Sequence, residues 1–599
     1  MQVNGPVQFL AVPGGASPLS RIGWDSGVLS LGDDTAVRML SAPDQVTVST
    51  FDAGADPQSL LASARQASAS VSVEDTTGLP AAAATFKIAL LPGESRTVGW
   101  VSALGERAAD LPVTGSIEAA LDTVQERVAA AWRARMDEVD LILPPEGQRI
   151  EDVLKSSLAH MLMSRQGPIL QPGTRSYNRS WIRDGAMMAE GLNRLGLSDL
   201  SEDYLRWYAP YLFSSGKVPC CVDARGADPV PENDSHGEFV FLAAEAYRYG
   251  GDAALLRQVW PQVQGAIRYM DELRASTRTA EFQTAETRHL FGLLPPTISH
   301  EGYSDKAAYS YWDDFWGLRG YRDAVFIAET LGDAEAAGRI RASEQQFKAD
   351  ILASITATAA FHDIDWIAGA ADRGDFDATS TTIGLSPGGL QDDLPQELLN
   401  GTFDKWWANF TARQENRQPW RDYTPYELRN VSAMVRLGRR EEAWRALEFY
   451  FADIRPRAWN GWAEVVGRDL REPRFIGDMP HAWISSDYIR SALDLFAYER
   501  DDGALVLAAG VPVRWFDTTE GVGVSGLRTP YGALTYRLRK VGRDYRLDFA
   551  GEAAPPGGFV LRWPEAEARP ASVRIDGRAA AWTGDALAIP AGSKRVVLR

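Results

Sequence analysis

The sequence predicts a mainly α chain: an (α/α)6 barrel of six helical hairpins, flanked by an N-terminal β-sandwich and a small C-terminal β-domain. Three observations predict it. Between Ile150 and about Glu499, twelve segments repeat apolar residues at helical spacing, joined by alternating short and long connections. Before position 111 and after Asp502 the pattern becomes short β-rich pieces between Gly, Pro, Ser and Asp clusters. At 599 residues the chain is also too long for one core, so two to four domains are expected. The boundaries read as 1–111 for the sandwich, 112–148 for a linker helix and connector, 149–501 for the barrel and 502–599 for the C-terminal domain.

In order, the sandwich strands are expected at 7–12, 46–51 and 85–91. Ser116 reads as the N-cap of the linker helix, whose apolar positions are Ile117, Leu121, Val124, Val128, Ala131 and Trp132. The extended run 141–145 follows. Barrel helices are expected at 150–165, 181–195, 199–213, 234–249, 252–274, 312–332, 333–356, 379–385, 395–412, 424–437, 439–453 and 480–498. The last places Ser485, Tyr488, Ile489, Ala492, Leu493 and Phe496 on one face, with Pro480 in the first turn, where proline is tolerated. Strands are then expected at 534–539, 545–549, 559–563, 572–575 and 596–598.

The composition narrows the function classes. Hydrophobic residues make 45% and charged ones 24%, ordinary for a globular protein. Nineteen tryptophans are not ordinary. Flat aromatic faces stack on the apolar faces of sugars, although large helical cores also hold many aromatics. A net charge of −18 opposes nonspecific binding to nucleic acid or an anionic membrane. No apolar run approaches the roughly 20 residues needed to span a bilayer, and the start lacks the layout of a signal peptide. The start reads as opening inside or just before a strand, which leans toward a trimmed periplasmic or secreted protein, with the cytoplasm as alternative. Cys220 and Cys221 are adjacent, so no structural bridge between them is expected. Six scattered histidines lack metal-ligand spacing; neither metal nor cofactor is expected.

Four clusters could carry chemistry. In 177–185, Tyr177, Trp181, Arg183 and Asp184 offer a sugar platform and charge-assisted grips on vicinal hydroxyls, or an Arg–Asp pair at a helix start. In 230–238, Glu232, Asp234 and His236 could bind, or Asp234 or Ser235 could merely cap a helix. The Gly- and Asp-rich run 365–377 lacks EF-hand spacing and reads as a structural loop for most of its acids. The fourth is a pair of acidic sites among tryptophans: Asp313 or its neighbour Asp314, between Trp312 and Trp316, and Glu464 after Trp462, upstream of His481. A carboxyl group against indole is poorly hydrated, which favours its neutral form and suits a proton donor; a better solvated carboxylate can activate water.

These clusters resemble, in order and context, those of the six-hairpin glycosidases, glucoamylase-type enzymes in particular. Trp181-Ile182-Arg183-Asp184-Gly185 looks like their Trp-x-Arg-Asp signature for the non-reducing sugar. Tyr311-Trp312-Asp313-Asp314 looks like their acid loop with Asp in place of Glu, a replacement also similar to the Gly-Trp-Asp setting of trehalases. Gly461-Trp462-Ala463-Glu464 resembles the base loop, and Gly477 to Trp483 the start of the last helix. The domain order is also similar to that of disaccharide phosphorylases and rhamnosidases.

The resemblance implies an exo-acting, inverting hydrolase of an oligo- or polysaccharide. Asp313 would be the acid, Asp314 the alternative acid, and Glu464 the base, with carboxyls roughly 6.5–9.5 Å apart. An α-glucosidic linkage is the first expectation. Rhamnosides and β-linked sugars, a phosphorylase and a silent sugar-binding protein are the alternatives. How far the connection 276–305 and the N-terminal sandwich overhang the site decides exo against endo action.

Overall fold

The structure is a computed structural model that describes residues 19–33, 35–53, 70–102, 115–300, 302–469, 478–564 and 569–599. Among the described residues about 45% are helical, with 13 α-helices. The chain divides into two compact units, Met1–Ala134 and Arg135–Arg599.

In the first unit, five antiparallel strands lie in the order Ser70–Glu74, Arg21–Asp25, Val28–Leu31, Thr35–Met39 and Trp100–Ser102. Gln45–Ser49 pairs with Ala81–Thr85 in a separate ladder. Ile22, Trp24, Leu29, Val37 and Val46 form the core. The strand expected at 7–12 lies outside the described residues. The one expected at 85–91 is corrected: the strand is the alanine-rich Ala81–Thr85, and 86–91 is irregular. Alanine has low β-propensity, so the run carried no strand signal.

The helices are α1 (Ile117–Met136), α2 (Gln148–Ser164), α3 (Ile182–Arg194), α4 (Ser198–Tyr208), α5 (Asp234–Gly250), α6 (Ala253–Thr277), α7 (Tyr311–Leu331), α8 (Ala334–His362), α9 (Ala378–Leu385), α10 (Gln396–Gln414), α11 (Arg429–Arg436), α12 (Arg440–Asp453) and α13 (Ala482–Asp494). The Ser116 hydroxyl caps α1 by accepting from Ala119 N–H at 3.2 Å. In the second unit α3 packs on α5, α5 on α7, α7 on α9, α9 on α11, α11 on α13, and α13 back on α3. Six helices therefore close a ring. Helices α2, α4, α6, α8, α10 and α12 lie against it from outside. Helices α5 and α7 approach closely because Gly237 and Gly320 meet: a Cβ on Gly237 would fall 1.9 Å from the Trp316 carbonyl oxygen.

Pro480 is not in the first turn of α13. A cis Met479–Pro480 bond precedes it and His481 is the N-cap. The expected final turns of that helix instead form the strand Ala497–Glu499, which opens a four-stranded sheet. A seven-stranded sheet closes the chain and takes Asp140–Ile142, from the connector, as its edge against Val522–Thr529. Among the described residues no helix is long and apolar enough to cross a membrane.

Candidate active site

All six ring helices bring their N-termini to one end, where their partial positive charge favours carboxylates. The side chains there touch across the ring. Arg183 of α3 bonds Glu232 at 2.7 Å and Asp234 of α5 at 3.4 Å, with Asp184 at 3.7 Å. Trp312 of α7 donates its indole N–H to Asp234 at 2.8 Å. The Arg183 guanidinium lies 5.3 Å from the Trp483 ring of α13. Asp234 therefore does not cap its helix. It occupies the first turn with no side-chain cap bond and links three elements. Of the two readings of Asp234, the capping one does not hold, because a carboxylate facing Arg183 and an indole N–H gains more there than from its own backbone.

Asp313 and Asp314 follow one another in the first turn of α7 and face different surroundings. Asp313 accepts from Thr297 at 2.7 Å and Ser299 at 2.6 Å, hydroxyls of the long connection before α7. Burial, then the charge of Asp234, raises its pKa well above the ordinary carboxylate range, against those two hydrogen bonds. His300 of the same connection stacks on Trp312 at 4.9 Å and lies 3.7 Å from Asp377, which caps α9. Asp314 turns to the outer wall and accepts from Leu294 N–H at 2.9 Å. Burial pushes it up to about 8. Its second oxygen has no partner.

Glu464 is half-buried and accepts from the Tyr177 hydroxyl. The Tyr177 ring lies edge-on to His481 at 5.0 Å and to Trp181 at 5.6 Å. The Tyr177 loop is held by Asp478, whose carboxylate accepts from the N–H groups of Arg175, Ser176 and Tyr177 at 2.6, 3.0 and 3.2 Å. Burial opposes ionisation of Asp478, but those three donors outweigh it and hold the carboxyl below its usual range. Gly173 makes this possible, since a Cβ there would lie 2.3 Å from the Asp478 carboxylate. Gly477, the first residue of that motif, lies outside the described residues.

Three expected contacts are placed differently. Trp316 is wholly buried and packs on Phe241 at 5.4 Å, inside the helix layer. His236 is buried edge-on to Tyr269, and burial pushes it down to about 3. Trp462 packs on Tyr488 of α13 at 5.3 Å and is only 2% exposed. Burial also pushes His481 down to about 3. Trp316, His236 and Trp462 are thus all packed in the interior, as are His481 and Trp312.

Arg429 was not singled out by the sequence. It is 2% exposed at the start of α11, bonds Asp487 at 2.8 Å through Nε, and lies 4.9 Å from the Trp312 ring and 4.7 Å from that of Trp483. Both its terminal nitrogens are buried without a partner. Its proximity to a proline-led turn, Pro425–Leu428, gave no functional signal. The run 365–377 is structural, as expected: Asp372 accepts from Tyr309 N–H and Asp375 from Ala370 N–H.

A cleft of about 570 Å³ opens at the C-terminal ends of the same ring, lined by Arg194, Arg248, Arg319, Arg436 and Asp494 among others. These charges pair with neighbouring groups, Arg194 and Arg436 with Asp494, Arg248 and Arg319 with Asp323. None of the expected catalytic residues lies in it.

No protein-family model and no curated protein matches the chain. Among solved structures it is similar to an α-L-rhamnosidase from Dictyoglumus thermophilum, with 10% identity over 96% of this chain and 63% of that one, and a TM-score of 0.49. It is similar to a Streptomyces avermitilis α-L-rhamnosidase complexed with L-rhamnose, at 12% identity over 97% and 53%, TM-score 0.49. A rhamnosidase from Klebsiella oxytoca with rhamnose bound matches at 14% identity over 79% and 94%, TM-score 0.44. The chain thus spans less than two thirds of the length of the first two. Likenesses this weak do not assign an activity, which rests on the residues themselves.

Proposed function

We propose that the chain is an inverting, exo-acting glycoside hydrolase of the six-hairpin type, with residues 149–501 as its (α/α)6 catalytic barrel. The observation that carries this reading is the placement of two unlike carboxyl groups. Asp313 sits on α7, and Glu464 on the loop before α13, three positions away in a ring of six. They approach from opposite arcs. Asp313 is buried and keeps its proton, whereas Glu464 is half-buried and held by a phenol. A buried carboxyl with a raised pKa suits a proton donor, and a better solvated one suits a base.

In the proposed reaction Asp313 protonates the glycosidic oxygen as the bond to the anomeric carbon breaks. Glu464 removes a proton from water attacking the opposite face, and the product has inverted configuration. Arg183, Asp184, Glu232 and Asp234 hold sugar hydroxyls. Tyr177 and Trp181 supply aromatic surface, Trp312 holds Asp234 through its indole N–H, and the two spare nitrogens of Arg429 supply further donors. Asp313 is assigned as the acid over Asp314 because its charged neighbour is Asp234 of the Arg183 cluster, whereas Asp314 faces Leu294 and the charges of Arg274 and Asp350.

The test is proton NMR of the anomer released from a panel of α- and β-glucosides, α-L-rhamnosides and polysaccharides, with α-glucosides as the first substrate expected. Release of the inverted sugar, lost in Glu464→Gln, supports the proposal. Turnover only with phosphate would make the protein a phosphorylase. Binding without turnover would make it a silent sugar-binding protein.

A further inference from the structure

The two cysteines of the chain lie behind the aromatic wall of this site. Cys220 and Cys221 are both buried, at 3% and 1% exposure, and pack with Trp181 and Tyr177. Both are free thiols, and their sulfurs are 2.7 Å apart. The backbone that carries them is pinned on every side. The Pro219 carbonyl accepts from Tyr208 at 2.9 Å, the Cys220 carbonyl from Ile182 N–H at 3.0 Å and the Cys221 carbonyl from Asp228 N–H at 2.9 Å. Cys221 also pairs in register with Trp181. Forming an S–S bond of about 2.05 Å would bring the sulfurs less than about 1 Å closer.

We propose that Cys220 and Cys221 are an oxidation site, a vicinal dithiol that a low-molecular-weight disulfide converts into an intrachain disulfide under Trp181 and Tyr177. The step balances as thiol–disulfide exchange. Cys221 loses its proton and attacks one sulfur of the reagent, whose S–S bond breaks and releases one thiolate. Cys220 then loses its proton and attacks the Cys221 sulfur, expelling the second thiolate. Both protons end on the two thiols released, which also carry the two electrons.

Cys221 attacks first. Its hydrogen bond with Cys220, together with burial, pushes the Cys220 thiol up and keeps its proton in place. The alternative of a cation held by both sulfurs and Asp228 is weaker, although those ligand atoms lie within 4.8 Å of one another. The Asp228 carboxylate is already engaged by Arg179 and by Val230 N–H, and the guanidinium repels a cation.

The ring that closes contains the Cys220–Cys221 peptide, whose carbonyl holds Ile182, the first residue of α3. Oxidation therefore moves Trp181 and weakens substrate binding. This consequence rests on the proposed hydrolase reading; the oxidation itself does not.

The experiment treats the full chain with oxidised glutathione or with dithiothreitol, then denatures and alkylates it for intact mass. Because no other cysteine is present, the reduced protein should take two alkyl groups. The oxidised protein should take none, stay monomeric on a non-reducing gel and weigh two hydrogens less. The single variants Cys220→Ser and Cys221→Ser should each stop at one bound glutathione. An oxidant-treated chain that still takes two alkyl groups, or that is linked only between molecules, overturns the proposal. In a second arm the oxidised protein should show a severalfold higher KM, reversed by dithiothreitol. An unchanged KM removes the coupling to the site. Loss of both thiols with no sugar cleaved by either form counts against the hydrolase reading alone.

Discussion

Tyr177 donates its phenolic hydroxyl to the carboxylate of Glu464, a residue 287 positions further along the chain. The bond joins the loop before α3 to the loop before α13 and orients the proposed base. Tyr177→Phe keeps the ring contacts to Trp181 and His481 and removes only the donor. A hydrogen bond to a charged group is worth about 1.5–3 kcal/mol, so kcat should fall about 10- to 100-fold, and the melting temperature should drop modestly. Unaltered kcat on the cleaved glycoside would remove Tyr177 from the machinery.

The two acids of α7 should separate cleanly on mutation. Asp313→Asn should lower kcat by about 10²–10⁴-fold while leaving the fold intact. Asp314→Asn should retain most activity, since an amide oxygen can still accept from Leu294 N–H. Steady-state rates and circular dichroism of both variants decide it; the reverse ranking would make Asp314 the acid.

Asp314 also predicts a pH effect on stability. Its folded pKa of about 8 lies above the unfolded value of about 3.9, so the folded state binds the extra proton between them. The contribution is complete below about pH 4, declines above that, and is lost as pH rises through about 8. Asp314→Asn should therefore lose less stability than the wild type between pH 6 and 9 in denaturant titrations.

The histidines work in the opposite sense. His236 and His481 are pushed down to about 3, below an unfolded value of about 6.5, so below that pH the unfolded chain binds more protons. Their contribution is complete above about pH 6.5 and is lost as pH falls toward 3. Melting temperatures measured from pH 7 to 4.5 should fall less steeply in His481→Gln than in the wild type.

Ser299 bonds Asp313 at 2.6 Å and favours its charged form. Ser299→Ala should raise the pKa of the acid further. Because the acid acts protonated, the alkaline limb of the kcat/KM profile should move to higher pH. A limb that stays in place or moves down would show that Asp313 does not control it.

How the ring elements were read depends on the range of each signal. Helical spacing is a local property, so the twelve segments between 150 and 499 could be marked from apolar repeats alone, including α9, only eight residues long. Ala81–Thr85 carries no strand signature because it is mostly alanine, and the helical spacing of α13 runs on into Ala497 and Tyr498, which are buried in a strand.

The sequence by itself determined which residue types could do this chemistry and which segments carry them: carboxylates beside tryptophan at helix starts, and an Arg–Asp pair after Trp181. The tertiary structure alone distinguishes the surroundings of Asp313 from those of Asp314. Successive helical residues point about 100° apart, and only the surroundings show that one faces Thr297, Ser299 and Asp234 while the other faces Leu294. It also turned Asp234 from a cap into a link between Arg183 and Trp312, and brought Arg429 to Trp312 and Trp483. Those partners come from different helices, and they meet because the sixth ring helix closes back on the first, a contact that no local pattern encodes.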